Sequence, residues 1–253
     1  MRQMLVAAFI AGMVHAASAN TTPGLGELCL NAAKPEAMET ACETLIADPA
    51  ELMRSRLSQA QVLYQRAAAR NRVAVRVAAK LEQSLADLEM LQRKHGPHQL
   101  LSQERGRALA HLLRMDEAEA AYARAEELGA DDPRIPAHQR AYYWGARSAT
   151  AFLRGRFDEA LRHADRSNAI PHDGKQITVF RLTILNALKR HREAETGATA
   201  HLKLKPKDVD AYLVRAEAYR AMGMYPLARR DLDTVERLDP DNPYLAEKRA
   251  LLK

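Results

Sequence analysis

The sequence predicts an all-α fold, a solenoid of stacked helix hairpins, and two observations support it. Blocks of 34 residues follow one another without a gap over 141–174, 175–208 and 209–242. Small and large apolar residues recur at matching positions of each block, with the spacing of one face of a helix. Because one helix pair cannot bury its own apolar face, consecutive pairs must stack to form a continuous core.

The block 209–242 carries the pattern most completely. With Val209 as position 1, small residues occupy positions 8 and 20, large residues positions 4, 11, 17 and 24, and a proline position 32. In the same order these are Ala216, Ala228, Tyr212, Tyr219, Tyr225, Leu232 and Pro240. The block resembles the tetratricopeptide repeat, and the resemblance implies a right-handed superhelical solenoid of helix hairpins.

Each part of the pattern has a physical role. Small residues let the two helices of a pair approach closely, so Ser148 is expected to face Ala160, and Ala216 to face Ala228. Large residues fill the spaces between pairs, and the proline ends the second helix.

The frame extends toward both ends of the chain. Residues 99–132 match it less fully, with Gly106 and Ala118 at the small positions. Two prolines predict a loop over 133–140. Residues 243–253 are predicted to form the capping helix that a repeat array needs at its end.

Residues 52–98 fit no unit of the repeat. They predict a long divergent hairpin of two amphipathic helices, roughly 51–70 and 73–94, ended by Gly96-Pro97. The sequence leaves open whether this hairpin extends the superhelix or occludes its groove.

The N-terminus has the order of a secretory signal peptide. Arg2, an apolar run from Met4 to Val14 and the small residues 17–19 follow one another as such signals require. We therefore expect residues 1–19 to be cleaved off after Ala19, which makes the protein periplasmic or secreted; its resemblance to exported repeat proteins favours a bacterium. An interfacial or buried N-terminal helix is the alternative. No later apolar stretch is long enough to predict a membrane span.

The segment 20–51 predicts a degenerate helix hairpin that contains both cysteines. Lys34-Pro35 is typical of a turn in which proline starts the second helix. Cys29 and Cys42 then lie at a similar height of the hairpin, and an exported chain with two cysteines favours a disulfide between them. Two free, half-buried thiols are the alternative.

No motif for catalysis, a metal or a cofactor is found, so we predict a protein that is not an enzyme. His95 and His98 flank a turn without a nearby third ligand. The pair Asp208/Asp210 is expected to cap a helix, and Asp231/Asp233 to pair within its own helix with Arg229, Arg230 or Arg237. The net charge of +6 favours anionic surfaces, but basic residues are not gathered with stacking aromatics, so nucleic acid is not an expected partner.

In the tetratricopeptide family, positions 2, 5, 9 and 12 of the first helix tend to face a peptide. The four units carry there Leu100, Gln103, Arg107 and Ala110; Tyr142, Gly145, Ala149 and Phe152; Gln176, Val179, Thr183 and Asn186; Asp210, Leu213, Glu217 and Arg220. From these the resemblance predicts partner-binding residues Tyr142, Phe152, Val179, Thr183, Leu213, Glu217 and Arg220.

This set departs from the Lys, Asn and Arg with which relatives clamp the C-terminal carboxylate of chaperones. It suits an extended or helical segment with apolar side chains, although several of the residues could instead pack against neighbouring helices.

The sequence therefore predicts an envelope scaffold or adaptor that binds a protein or peptide partner in the groove. The alternative within the binding class is a stably bound subunit or assembly chaperone of a secretion or cell-wall complex. The partner and the oligomeric state do not follow from the sequence.

Overall fold

The structure is a computed structural model that describes residues 24–73, 78–171 and 178–252. These residues form fourteen helices and no strand. The contacts divide the chain into two compact units, one ending at Asp132 (unit 1) and one beginning at Pro133 (unit 2). The predicted signal peptide lies outside the described residues.

Unit 1 contains seven described helices. They are α1 (Leu25–Asn31), α2 (Pro35–Ala47), α3 (Pro49–Ser55), α4 (Gln59–Val73), α5 (Ala78–His95), α6 (Gln99–His111) and α7 (Met115–Glu127). Packing follows chain order: α1 lies on α2, α2 on α4, α4 on α5, α5 on α6 and α6 on α7. The short α3 lies beside α2 and contributes no buried side chain.

Unit 2 contains the other seven helices. They are α8 (Ala137–Leu153), α9 (Phe157–Ala169), α10 (Thr178–Ala187), α11 (His191–Leu204), α12 (Val209–Ala221), α13 (Tyr225–Leu238) and α14 (Leu245–Ala250). Each packs against the next, and α10 also contacts α12. First helices of successive repeats therefore lie beside one another as well as beside their own second helices, which is how a helical solenoid builds its core.

The predicted disulfide joins Cys29 of α1 to Cys42 of α2. Both cysteines are fully buried in a cluster with Met38, Leu45 and Val62. As predicted, Pro35 opens α2, where its missing N–H costs no helical hydrogen bond. Because α1 has only seven residues, the cross-link fixes a helix that is too short to be stable alone.

The prediction of one helix over roughly 51–70 is wrong. The chain forms α3, turns at Arg56 with a φ of 57°, and begins α4 at Gln59. The missed signal is a capping box. The backbone N–H of Ser58 donates to Gln61 Oε1 at 2.9 Å, and that of Gln61 donates back to Ser58 Oγ at 3.1 Å.

The predicted loop over 133–140 is shorter in the structure, because α8 already begins at Ala137. Pro136 precedes this helix with a ψ of 135°, a conformation that cannot belong to the helix itself. The first helix of this repeat therefore starts before position 1 of the frame and has 17 residues.

The small residues of the repeat lie where the two helices of a pair meet. Ser148 and Ala160 are both fully buried, and the Ser148 hydroxyl donates to the Ala160 carbonyl at 2.8 Å. Ala216 and Ala228 share one buried cluster with Leu232. Tyr225 departs from the expectation for position 17, since 46% of it is exposed.

Every turn between the first and second helix of a repeat has the same backbone. Position 15 has a positive φ in all four repeats: 60° at Leu113, 72° at Gly155, 60° at Lys189 and 74° at Gly223. This left-handed residue ends the first helix, as at many helix C-termini. In three repeats the next residue is an arginine that pairs with a glutamate three positions on, namely Arg114 with Glu117, Arg156 with Glu159 and Arg190 with Glu193.

No helix among the described residues combines the length and the apolar character that crossing a bilayer requires.

Candidate functional site

The first helices of unit 2 are brought side by side by two contacts. The rings of Phe152 on α8 and Phe180 on α10 have centroids 5.4 Å apart. The Asn186 side chain on α10 donates to the Val214 carbonyl on α12 at 2.9 Å. The family-derived binding positions of 141–174 and 175–208 thus belong to one continuous surface.

The corresponding positions of unit 1 are not accessible. Leu100, Gln103, Arg107 and Ala110 on α6 are all buried. Arg107 donates to the Ala68 carbonyl of α4 at 3.2 Å and pairs with Glu104, which also accepts from Asn71 of α4 at 2.9 Å. Residues of the 52–98 segment therefore pack against α6, and because these four positions are buried, no open groove exists there.

Two binding positions of the last repeat, Leu213 and Glu217, contact the C-terminal segment. Leu213 is buried in one cluster with Leu245 and Leu252. The Glu217 carboxylate accepts from Arg220 at 2.6 Å and from Lys248 of α14 at 3.2 Å. The Arg220 hydrogen bond, against the opposing effect of burial, holds the pKa of Glu217 below its ordinary range, and Lys248 adds to the lowering. Asp210 is exposed.

Apart from Asn186, which is bound to α12, the remaining positions form an uncharged strip on α8 and α10, which we call the α8/α10 strip. Its residues are Tyr142, Gly145, Ala149, Phe152, Val179 and Thr183. Tyr142 is 44% exposed and the other five are half-buried. Thr183 donates its hydroxyl to the Val179 carbonyl of its own helix at 3.2 Å, so the strip presents mainly carbon to a ligand. Gln176 lies outside the described residues.

Phe152 belongs to the α8/α10 strip and also packs against aromatic residues of neighbouring helices. Its ring lies 5.3 Å from Phe157 and 5.4 Å from Phe180. Sequence reasoning missed Phe180, although it adjoins Val179 on the same helix, and it missed Lys248, which lies on a helix assigned only to capping.

The predicted role is confirmed for the first Asp-x-Asp pair and is wrong for the second. Asp208 caps α12 as predicted and accepts from the Ala211 N–H at 3.2 Å. The prediction that Asp231 pairs within its own helix is wrong. It is buried and bound by both Nε and Nη2 of Arg215 on α12, at 2.8 and 2.7 Å. Helix periodicity cannot reveal a partner on another helix.

Of the two histidines of the predicted loop, His98 binds the backbone. His95 ends α5, while His98 caps α6 by accepting from the Leu100 N–H at 3.2 Å. Burial lowers the pKa of His98. Over the described parts of the chain, no three His, Cys, Asp or Glu residues are placed to hold a metal ion together.

Comparison with known proteins gives its clearest result for the fold. No model of a known protein family matches the sequence. One curated protein, a 58 kDa phosphoprotein of Plasmodium berghei, is 29% identical over 86 residues. That match covers 34% of this chain and 20% of the relative, so the chain spans only a fifth of its length.

Three solved structures are similar over most of the chain. YrrB, described as a TPR (tetratricopeptide-repeat) protein with an unusual peptide-binding site, gives a TM-score of 0.56 at 14% identity, over 76% of this chain and 92% of YrrB. A tetratricopeptide repeat protein from Parabacteroides merdae gives 0.62 at 14% identity, over 87% and 79%. The C-terminal part of a TPR repeat-containing protein from Cytophaga hutchinsonii gives 0.55 at 16%, over 83% and 77%.

Proposed function

Because the chain has the fold of the tetratricopeptide-repeat proteins, we propose that it is a protein-interaction scaffold that binds a peptide or protein segment on the α8/α10 strip. The observation that carries the proposal is the uncharged, partly exposed surface of the strip in a chain of which 28% is charged. The peptide-binding site ascribed to YrrB supports a binding role for the fold.

The chemistry of the strip selects the ligand. A charged ligand side chain would lose hydration against the strip and would meet no opposite charge among its residues, which is unfavourable. Apolar side chains gain about 25 cal/mol for each Å² that they remove from water. The ligand is therefore an extended or helical segment that places apolar side chains against Ala149, Phe152 and Val179.

The proposal includes a location in the bacterial envelope. The signal-like residues 1–19 and a buried disulfide between the only two cysteines support export to an oxidising compartment. Mass spectrometry of the protein from fractionated cells tests it. A periplasmic form that begins at Asn20 is expected, and a cytoplasmic form that keeps Met1 would refute it.

The binding site is tested with charge insertions that spare the packed aromatic residues. Ala149→Glu and Thr183→Glu place a carboxylate in the strip. Ala200→Glu and Thr196→Glu place the same groups on exposed positions of α11 and serve as matched controls. In crosslinked pull-downs from the native envelope, the control variants should retain an enriched partner and the strip variants should lose it, with all four folded as judged by circular dichroism. If the strip variants retain the partner, the α8/α10 strip is not the interface and the proposal is wrong.

A further inference from the structure

The turn between α11 and α12 has an unusual surface. Lys203, Leu204, Lys205, Pro206 and Lys207 are five consecutive exposed residues. Leu204 is 83% exposed, more than any other large apolar residue among those described. We call these five residues the basic turn. A leucine held in water between three lysines is unfavourable unless something covers it.

The neighbouring repeat supplies an internal comparison. The turn after α13 is two residues longer but carries a proline, Pro240, at the repeat position of Pro206. At the positions of Lys205 and Lys207 it carries Asp239 and Asp241, and its leucine, Leu238, is only 37% exposed. The repeat architecture therefore tolerates the opposite charge at both positions, so folding of the turn does not require the lysines.

Hydrogen bonds from neighbouring residues hold the backbone of the basic turn. The Asp208 N–H donates to the Lys205 carbonyl at 3.1 Å, and the Tyr212 hydroxyl donates to the Pro206 carbonyl at 3.1 Å. The Asp208 carboxylate is directed to His201 Nε2, at 2.8 Å, and to the Ala211 N–H. The Asp208 carboxylate therefore binds His201 and the start of α12 and does not pair with the lysines of the basic turn.

We propose that the basic turn docks on a membrane surface rich in anionic phospholipid, with the lysines near the phosphates and Leu204 inserted among the headgroups. Lysine ammonium groups act as point charges toward phosphate, and each contributes on the order of a fivefold gain in binding near an anionic bilayer. Five consecutive exposed residues that include one leucine suit the flat, deformable surface of a bilayer. Protein interfaces, by contrast, are enriched in aromatic residues and arginine and depleted of lysine.

Vesicle co-sedimentation of the full chain tests the proposal. The probes are vesicles of phosphatidylglycerol and phosphatidylcholine in equal parts, and vesicles of phosphatidylcholine alone, at millimolar lipid. Binding is expected to the anionic vesicles only and to be lost in high salt, since exposed charges are screened there. Failure to bind anionic vesicles at low salt, or equal binding to both kinds, would overturn the proposal.

Charge variants separate the basic turn from the general positive charge of unit 2, which has 23 Lys and Arg against 15 Asp and Glu. Lys205→Asp with Lys207→Asp copies the neighbouring turn and should weaken vesicle binding on the order of 30-fold or more. Lys189→Asp with Arg192→Asp makes the same charge change at exposed residues of the opposite edge, and should weaken binding much less. Equal losses would mean nonspecific attraction and would contradict the proposal.

The leucine has its own matched pair. Leu204→Ser should weaken vesicle binding about tenfold, whereas Leu238→Ser, at the same repeat position, should leave it unchanged. If instead the wild type ignores vesicles but binds immobilised polyglutamate through the three lysines, the partner is an acidic protein and the membrane proposal fails. The α8/α10 strip takes no part in these measurements, so their outcome is independent of peptide binding.

Discussion

At the scale of single residues, positions 8 and 24 complement each other in volume in three of the four repeats; in 141–174 both are small, Ser148 and Ala164. Gly106 is paired with Tyr122, Leu182 with Ala198, and Ala216 with Leu232. A methyl group at Gly106 would lie 2.8 Å from a Tyr122 ring carbon, closer than real contacts allow. At Leu182, the facing helix carries Gly197, where an added methyl group would meet the end of the leucine side chain.

Gly106→Ala should therefore destabilise the protein although alanine is the better helix former. Alanine gains about 1 kcal/mol of helix propensity, but overpacking against a fully buried ring costs about 1–3 kcal/mol. Urea unfolding should show a net loss of up to about 2 kcal/mol. In a Tyr122→Leu background, which removes the ring, the same substitution should become neutral or stabilising. A Gly106→Ala protein more stable than the wild type would contradict the packing.

Sequence reasoning succeeds at this scale where the neighbour is set by the repeat. It placed Ser148 against Ala160 and joined Cys29 to Cys42, because hairpin geometry fixes both pairs. It failed for Asp231, whose partner Arg215 lies on the preceding helix at a distance that no period predicts.

At the scale of helices, Arg215 ties three elements of unit 2 together. It binds Asp231 of α13 and donates to Thr199 Oγ1 of α11 at 3.0 Å, while its guanidinium lies 5.5 and 5.8 Å from the ring centroids of Tyr212 and Tyr219. The hydrogen bond to Asp231, opposed by burial, raises the pKa of Arg215. The buried pair therefore fixes the stacking of two successive repeats.

The two aspartates of this helix give a matched test. Asp231→Ala leaves a largely buried arginine without its partner and should lower the free energy of unfolding by about 3 kcal/mol. Asp233→Ala removes a carboxylate that is 65% exposed and pairs with Arg249, and should cost less than about 1 kcal/mol. Urea unfolding of both variants measures the difference. Equal losses would show that the Arg215 pair does not fix the helices.

Unit 1 contains an ionic cluster at the junction of α2, α4 and α5. Arg70 binds Glu39, Glu43 and Asp87, and Lys80 binds Glu39 at 2.6 Å. Burial alone would raise the pKa of the Glu39 carboxyl. Hydrogen bonds from Lys80 and Arg70 outweigh it and hold that pKa below its ordinary value.

The direction of this pKa shift sets a pH dependence. Because the folded-state pKa of Glu39 is the lower one, its contribution to stability is fully present above about pH 4.5 and is lost as the pH falls through the folded pKa. The wild type should lose stability more steeply than Glu39→Gln between about pH 5 and 3. Glu36→Gln, an exposed change on the same helix, should keep the wild-type slope. A wild-type slope in Glu39→Gln would refute the assignment.

At the scale of the whole molecule, the helical repeat could be predicted because small and large residues recur along the chain at intervals of 34 residues. The break at Arg56 and the early start of α8 could not be read from apolar spacing. A capping box of Ser58 and Gln61 sets the start of α4, and the extended backbone of Pro136 precedes α8. Tertiary structure was needed to decide which of the family-derived binding positions are accessible. Burial removes the positions on α6, α14 covers Leu213, and the α8/α10 strip remains.

The central claim is that a partner lies along the α8/α10 strip, and site-specific photocrosslinking tests it most directly. A benzoylphenylalanine at Ala149 or Thr183 should give one crosslinked partner in the native envelope. The same group at Ala200 or Thr196, on the exposed face of α11, should give none. Crosslinks to that partner from Ala200 and Thr196 but not from the strip would contradict the account.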